Sequence, residues 1–319
     1  MARMYGFNSH VGVGVESVWG TAVARTKFQE LMGESGGLNP GRTELESWRT
    51  RTPVGYIDIG KKTLASVTFP LAYDKLLIWF RNAFWDLTTT GAGPYTHIFR
   101  IGGTKPSPLT VEHGNAGSAF SALARLDVGC FVRRMTLEFL ADSISKVTFE
   151  YVGKDRDFGA YTAPTLADNS VWIKPGTFTV TLDSETGEAL CLNGATFTLE
   201  TGIDEGRMCL KGDTFIREPD LTGKTRVSGT FSRDWDSAWT DLQGKLRSGA
   251  TFALTVLSTS GANTFTAYCG KLVMVGDPIN HSGPGLATET VNWQAQDDTT
   301  GTPDDTAMKM TVVTSEATP

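Results

Sequence analysis

Two stretches of this chain, 162 residues apart, repeat one another across what reads as a strand-to-helix junction. Lys62–Asp74 laid over Lys224–Asp236 matches at Lys62/Lys224, Thr63/Thr225, Ser66/Ser228, Thr68/Thr230, Phe69/Phe231 and Asp74/Asp236, six of thirteen positions. Tyr73/Trp235 keeps an aromatic, while Val67 lies over Gly229. The offset is close to half of the 319 residues, so the chain reads as two copies of one unit, each ending a strand on a core Phe and opening a helix over it.

The rest of the pattern is β. Thr63–Phe69, Val132–Phe139, Lys146–Tyr151, Thr177–Leu182, Thr196–Glu200 and Phe265–Tyr268 alternate Thr or a charge with an aliphatic or aromatic residue, which gives a strand one wet and one buried face. Forty-three Thr and 35 Gly fit pleated surfaces joined by tight turns, such as Gly91-Ala92-Gly93-Pro94 and Ser282-Gly283-Pro284-Gly285. Two segments switch to a helical period. Tyr73, Leu76, Leu77, Phe80, Ala83 and Phe84 form one stripe, leaving Asp74, Lys75, Arg81 and Asn82 opposite it. Trp235, Ala238, Trp239 and Leu242 form the second, with Ser232 as N-cap and Gly244 as stop. The stripes assign Tyr73, Leu77, Phe80, Trp235 and Trp239 to helix core packing.

The expected fold is therefore mainly β: two tandem β-sandwich or barrel domains, each with one flanking α-helix. The boundaries place an N-terminal arm at 1–38, a first domain at 39–160, a linker at 161–170, a second domain at 171–298 and a C-terminal tail at 299–319. Charge follows the same division. Residues 1–160 carry 18 basic and 15 acidic side chains (+3), residues 161–319 carry 11 and 20 (-9), and the sum is -6. That balance argues against a nucleic-acid groove, which needs a basic stripe. Apolar stretches are only a few residues long, and Met1–Gly6 has no apolar signal core, so neither a membrane span nor a secretory leader is expected.

Chemistry finds little support. Cys130, Cys191, Cys209 and Cys269 are too far apart for a zinc knuckle and read as small buried hydrophobes, and His10, His97, His113 and His281 lie in no metal-binding motif. Gly12-Val13-Gly14 lacks the third glycine of a dinucleotide loop and reads as a flexible arm. No phosphate loop or serine elbow is present. Asp204-Glu205, Asp155/Asp157, Asp297-Asp298 and Asp304-Asp305 fall in apparent turns, where carboxylates are solvated. No catalytic, cofactor-binding or metal site is expected.

The segment Gly12-Val13-Gly14-Val15-Glu16-Ser17-Val18-Trp19-Gly20-Thr21-Ala22, followed by Phe28, resembles the start of the major tail tube proteins of long-tailed, siphovirus-like bacteriophages. The strand-helix unit at Thr63–Phe84, the strand Tyr95–Phe99 and the second unit at Thr225–Leu242 extend the resemblance over most of the chain. It implies a duplicated member that forms trimeric, pseudo-hexameric rings, and rings that stack head to tail into the channel for DNA passage. It also implies inter-ring contact loops at Glu44–Asp58, with Trp48, Arg49, Arg51 and Tyr56, and at Arg207–Leu221, with Phe215, Ile216 and Arg217. The implied partners are further copies of itself, tail tip, tape-measure and tail terminator proteins, and genomic DNA in transit without specific binding. The implied location is the virion tail, after assembly in the host cytoplasm. The competing expectation is a β-sandwich carbohydrate-binding or adhesion module using Trp235 or Trp239 as a platform, and a tail terminator is a nearer rival.

Overall fold

The computed structural model describes residues 9–46, 48–49, 51–115, 124–166, 171–183, 185–186, 192–209, 213–234, 239–276, 288–297 and 306–318. In the first half β1 (Ser9–Val15), β2 (Lys27–Glu30), β3 (Gly33–Asn39), β4 (Arg42–Leu45), β5 (Gly55–Asp58) and β6 (Lys62–Pro70) precede α1 (Leu77–Phe84). Six strands follow: β7 (Trp85–Thr90), β8 (Tyr95–Ile101), β9 (Leu109–Asn115), β10 (Ala124–Leu140), β11 (Lys146–Gly153) and β12 (Asp155–Gly159). The second half runs β13 (Phe178–Leu182), β14 (Glu185–Thr186), β15 (Leu192–Glu200), β16 (Arg226–Asp234), α2 (Trp239–Ser248), β17 (Phe252–Ser260), β18 (Asn263–Met274), β19 (Thr288–Ala295) and β20 (Lys309–Thr314). The protein is mainly β, built of large antiparallel sheets with two α-helices.

Seven pairings of the first half recur in the second in the same order. β1 pairs with β2 and β9, as β13 does with β14 and β17. β10 pairs with β9, β11 and β12, as β18 does with β17, β19 and β20. β6 lies between β3 and β11, as β16 lies between β15 and β19. The halves are joined where β10 pairs with β15 from Arg134↔Glu200 to Leu140↔Gly194, and where β8 pairs with β20. One sheet thus runs β3-β6-β11-β10-β15-β16-β19-β18 across both halves.

Alternation along these strands decides the faces. Val67, Phe69, Phe149, Met135, Leu137, Phe139, Phe197, Leu199, Phe231, Val291 and Trp293 are buried on one face. That face meets α1 and the outer strands β8, β13, β17 and β18 through edge and tilted ring contacts: Phe80 on Phe99, Phe149 and Phe265, Phe139 on Phe178 and Phe265, and Phe231 on Phe252. The apolar core is continuous from Val11 to Val312.

The helices depart from the sequence expectation in instructive ways. α1 starts at Leu77 because Lys75 takes φ 61, a left-handed conformation that a continuous helix cannot contain. Tyr73 therefore lies before the helix, buried, with its hydroxyl 2.8 Å from Ser258 Oγ of β17. Leu77 and Phe80 are buried as well, but so is Asn82, which had been placed on the wet face. Its Oδ1 accepts from Val132 N at 2.7 Å, and its Nδ2 donates to Ser107 O at 3.0 Å, so α1 is sunk between sheets rather than laid on one. For α2, Ser232 is not the cap, since β16 continues through Asp234 against β19. The helix also runs through Gly244 and stops before Gly249, whose φ of 69 supplies the left-handed turn. Trp235 falls outside the described residues, and Trp239 opens α2 with its side chain outside them.

The Gly12-Val13-Gly14 segment is a correction too. It is no flexible arm but the middle of β1, paired on both sides, where a Cβ on Gly14 would sit 2.3 Å from Ala24 O. The stretch at 299–319 contributes β20, held between β8 and β18.

A volume exchange marks the two central ladders. Val67 opposes Phe149 in the first half, and Gly229 opposes the larger Trp293 in the second. A Cβ on Gly229 would lie 2.0 Å from Thr196 O and 2.3 Å from Trp293 Cζ2. Gly229→Val is therefore expected to destabilise the fold by about 3 kcal/mol, read as a lower urea midpoint, whereas Val67→Ala loses only a small packed volume. An unchanged midpoint for Gly229→Val would refute this packing.

Candidate assembly surface

β4 and β5 form a two-stranded sheet apart from the rest, registered from Arg42↔Asp58 to Leu45↔Gly55 and closed by an Arg42 Nε–Asp58 Oδ1 ion pair of 3.0 Å. An isolated hairpin is marginal in water, and this one buries almost nothing. Trp48 is fully exposed, and Leu45, Val54, Tyr56, Ile57 and Ile59 each leave about half of their surface open. Glu44, Arg49 and Arg51 share that exposure. An apolar projection of this kind, interleaved with charge, has the character of an interaction surface.

The stretch Arg207–Leu221 occupies the matching position in the second half, between β15 and β16, but it is folded onto the first half. Lys61, at the foot of the hairpin, donates its N–H to Thr214 O (2.8 Å), and its carbonyl accepts from Ile216 N (3.3 Å). The Phe215 ring lies under two ammonium groups, Lys61 Nζ at 4.9 Å and Lys154 Nζ at 5.8 Å. Ile216 is buried, so it anchors the loop rather than offering a contact, while Arg217 stands in solvent. The two stretches named from the sequence are thus linked through Lys61, which follows the hairpin and bonds the second loop. The anchors Lys61 and Lys154 were missed, because a cation over a ring leaves no spacing signature.

Charge asymmetry appears at the seam between halves. Arg134 Nη2–Glu200 (2.6 Å), Lys105–Glu218 (2.7 Å), Arg133–Glu205 and Lys27–Glu316 each pair a base from the first half with an acid from the second. The exposed face of the long sheet is otherwise hydroxyl-rich. Ser35 and Ser66 bond at 2.8 Å, Thr68 and Thr148 at 2.9 Å, and Arg134 and Lys146 are held by Glu150, Glu200 and Glu138. Thr136, Thr196, Thr198, Thr230, Asn292 and Gln294 share that face.

A buried polar network fixes β3, the sheet's first strand. His113 of β9 places Nδ1 2.8 Å from Glu34 Oε2 of β3 and Nε2 3.1 Å from Asp127 Oδ2 of β10. Tyr151 of β11 donates to Asp127 (2.6 Å), as does Arg156 Nη2 of β12 (2.6 Å), and Arg125 of β10 reaches Glu34. A ring whose two nitrogens both face carboxylates is held as imidazolium. Burial alone would lower the His113 pKa, but Asp127 and Glu34 reverse that and raise it. The His113 bond is the main reason that Glu34 falls to about 2. Burial opposes ionisation of Asp127, yet Arg156 and His113 bring it down to about 2. The network ties down an edge strand, and burial pushes the Tyr151 hydroxyl up, which keeps it a donor to Asp127.

Among the described residues no group of three His, Cys, Asp or Glu side chains is placed to hold a metal ion. Cys130 and Cys269 are buried free thiols, Cys209 is half-buried, and Cys191 falls outside the described residues. Asp204 is paired with Arg207 (3.2 Å) and Asp155 with Lys61 (3.0 Å). No described helix is long and apolar enough to cross a membrane. A family model described as phage tail tube protein matches residues 6–295. No curated protein matches the chain.

Proposed function

The chain belongs to the phage tail tube protein family, and on that premise we propose that this structural tail protein polymerises into stacked rings that form the channel for DNA passage. The observation that carries the reading is the β10–β15 ladder. It joins two like sheets edge to edge inside one chain, which is the junction a ring repeats between chains. With two such units per chain, three copies give a pseudo-hexameric ring, and the recurrence of seven pairings supports a duplicated protomer. Stacking is a head-to-tail contact that does not close, so rings extend into a filament. The β4–β5 hairpin, with Trp48 and Tyr56, is the segment we assign to the neighbouring ring, and Arg217 the exposed part of the second loop.

The hydroxyl-rich face of the long sheet suits a lumen. DNA phosphates there would meet mostly Ser and Thr, with Arg134 and Lys146 already paired with Glu and Arg226 placed opposite Glu200, so little would grip them. Tail tip, tape-measure and tail terminator proteins are the partners this role requires, with assembly in the host cytoplasm. No catalytic step is proposed. Negative-stain electron microscopy of the purified protein at high concentration is expected to show rings or hollow tubes; particles that stay monomeric throughout would overturn the reading.

A further inference from the structure

We infer the residue register of the junction between protomers: Val273 and Val275, at the end of β18, lie opposite Gly37 and Ser35 on β3 of a second copy. The inference rests on the ring proposed above and is read from the ladders within one chain. Thr68 and Thr230 occupy equivalent places in the repeat, opposite Thr148 of β11 and Asn292 of β19 respectively. One residue along, Phe149 opposes Met135 of β10, and Trp293 opposes Met274 of β18. Met274 therefore stands where Met135 does, Val273 where Arg134 does, and Val275 where Thr136 does. On the other edge, Ser66 faces Ser35 of β3 as Ser228 faces Thr198 of β15. Ser35 thus takes the place of Thr198, and Gly37 that of Glu200. Inside the chain Thr136 opposes Thr198 and Arg134 opposes Glu200. The same geometry between chains sets Val275 against Ser35 and Val273 against Gly37.

Neither edge has a partner strand among the described residues, although Arg156 Nη1 reaches Gly36 O of β3 at 3.3 Å. β17 begins at Phe252, opposite Leu272, so past Leu272 that side of β18 has no partner strand among the described residues. Val275 is 47% exposed although apolar, and Val275 N bonds Asn292 O at 2.8 Å, so the chain is still extended along β19 there. β3 pairs only with β6 among the described residues, and Ser35 is exposed. The two edges cannot satisfy each other within one protomer. They are the ends of an eight-strand sheet, seven spacings apart or roughly 34 Å measured along it at about 4.8 Å per strand. An edge that its own chain cannot reach is a template for another copy. The side chains also fit: Gly37 and Ser35 are small, as a strand receiving two valines requires, and burying Val275 removes an apolar side chain from water.

The test is cross-linking in assembled protein. Oxidation of tubes made from Ser35→Cys/Val275→Cys is expected to convert most chains into covalent dimers and higher multimers, at least tenfold more than either single variant. Gly37→Cys/Val273→Cys serves as a second pair on the same face. Tubes of normal appearance that give no interchain bond with either pair overturn the register while leaving the ring intact. Absence of any ring or tube from the wild-type chain strikes instead at the reading beneath it. Should both double variants fail to assemble, hydrogen exchange on the wild type decides. Assembly is expected to slow amides of 33–37 and 273–275 at least tenfold, and unchanged exchange in both segments overturns the proposal.

Discussion

Removing Glu44–Asp58 is expected to leave a protomer that melts like the wild type and yet forms no tubes. Its described side chains are exposed, and among the described residues the β4–β5 ladder has no other strand pairing, so the core keeps its packing. Its ends are already adjacent, since Thr43 opposes Ile57 and Ile59 N bonds Gly41 O at 2.9 Å, so a short closure costs little chain entropy. What disappears is apolar surface. Trp48, Val54, Tyr56 and Ile57 would each contribute on the order of 1–2 kcal/mol when covered by a neighbour. Repeated at every copy around a ring, that loss removes stacking altogether. Sedimentation and electron microscopy of the deletion check it: tubes of normal length would refute the assignment, while single rings that do not stack would locate the defect in the axial contact.

Asp127→Asn is expected to cost about 3–5 kcal/mol, because it strands the buried charges of His113 and Arg156 without their shared carboxylate. The pH dependence has a definite sign. His113 has a raised folded pKa, so its contribution is fully present below its ordinary value of about 6.5 and is lost as pH rises through the raised one. Asp127 and Glu34 are lowered to about 2, so theirs is present above their ordinary values near 4 and lost as pH falls toward 2. The network therefore stabilises most between about pH 4.5 and 6.5. Chemical denaturation across pH should show the wild type losing its advantage over His113→Gln on the alkaline side and over Asp127→Asn on the acid side. Parallel curves for wild type and variants would show that these groups are not coupled to folding. Glu34 lies on β3, so the same titration bears on how firmly the edge strand is held for assembly.

Much of this architecture was legible in the sequence, for a simple reason. Thr63–Phe69 and its repeat at Thr225–Phe231 alternate because one face is wet and one is buried, and burial by period two is a local pattern. What was hidden is whatever depends on distant partners. Gly12 and Gly14 read as slack because nothing nearby shows that β9 pairs with both on one side while β2 closes on Gly12 and Ala24 on Gly14 from the other. Asn82 looked like a surface residue until Val132 and Ser107 arrived to bond it. The hairpin residues Trp48 and Tyr56 come from the resemblance rather than from a period, and the structure leaves both exposed. Ser35, Val273 and Val275 carried no signal at all, since a free edge is defined by a strand that is missing.

The clasp of β20 between β8 and β18 has a consequence in time. β8 ends at Ile101 and β20 begins at Lys309, so this ladder closes a loop of roughly 200 residues, the kind of non-local pairing that folds slowly. Until it closes, β8 and β18 each expose an edge to any passing strand, including that of a sister chain. On the assembly proposed above, orderly growth of a filament requires that intrachain closure outrun encounter, and the protein's concentration during synthesis would become a kinetic control on whether chains build a tube or a tangle.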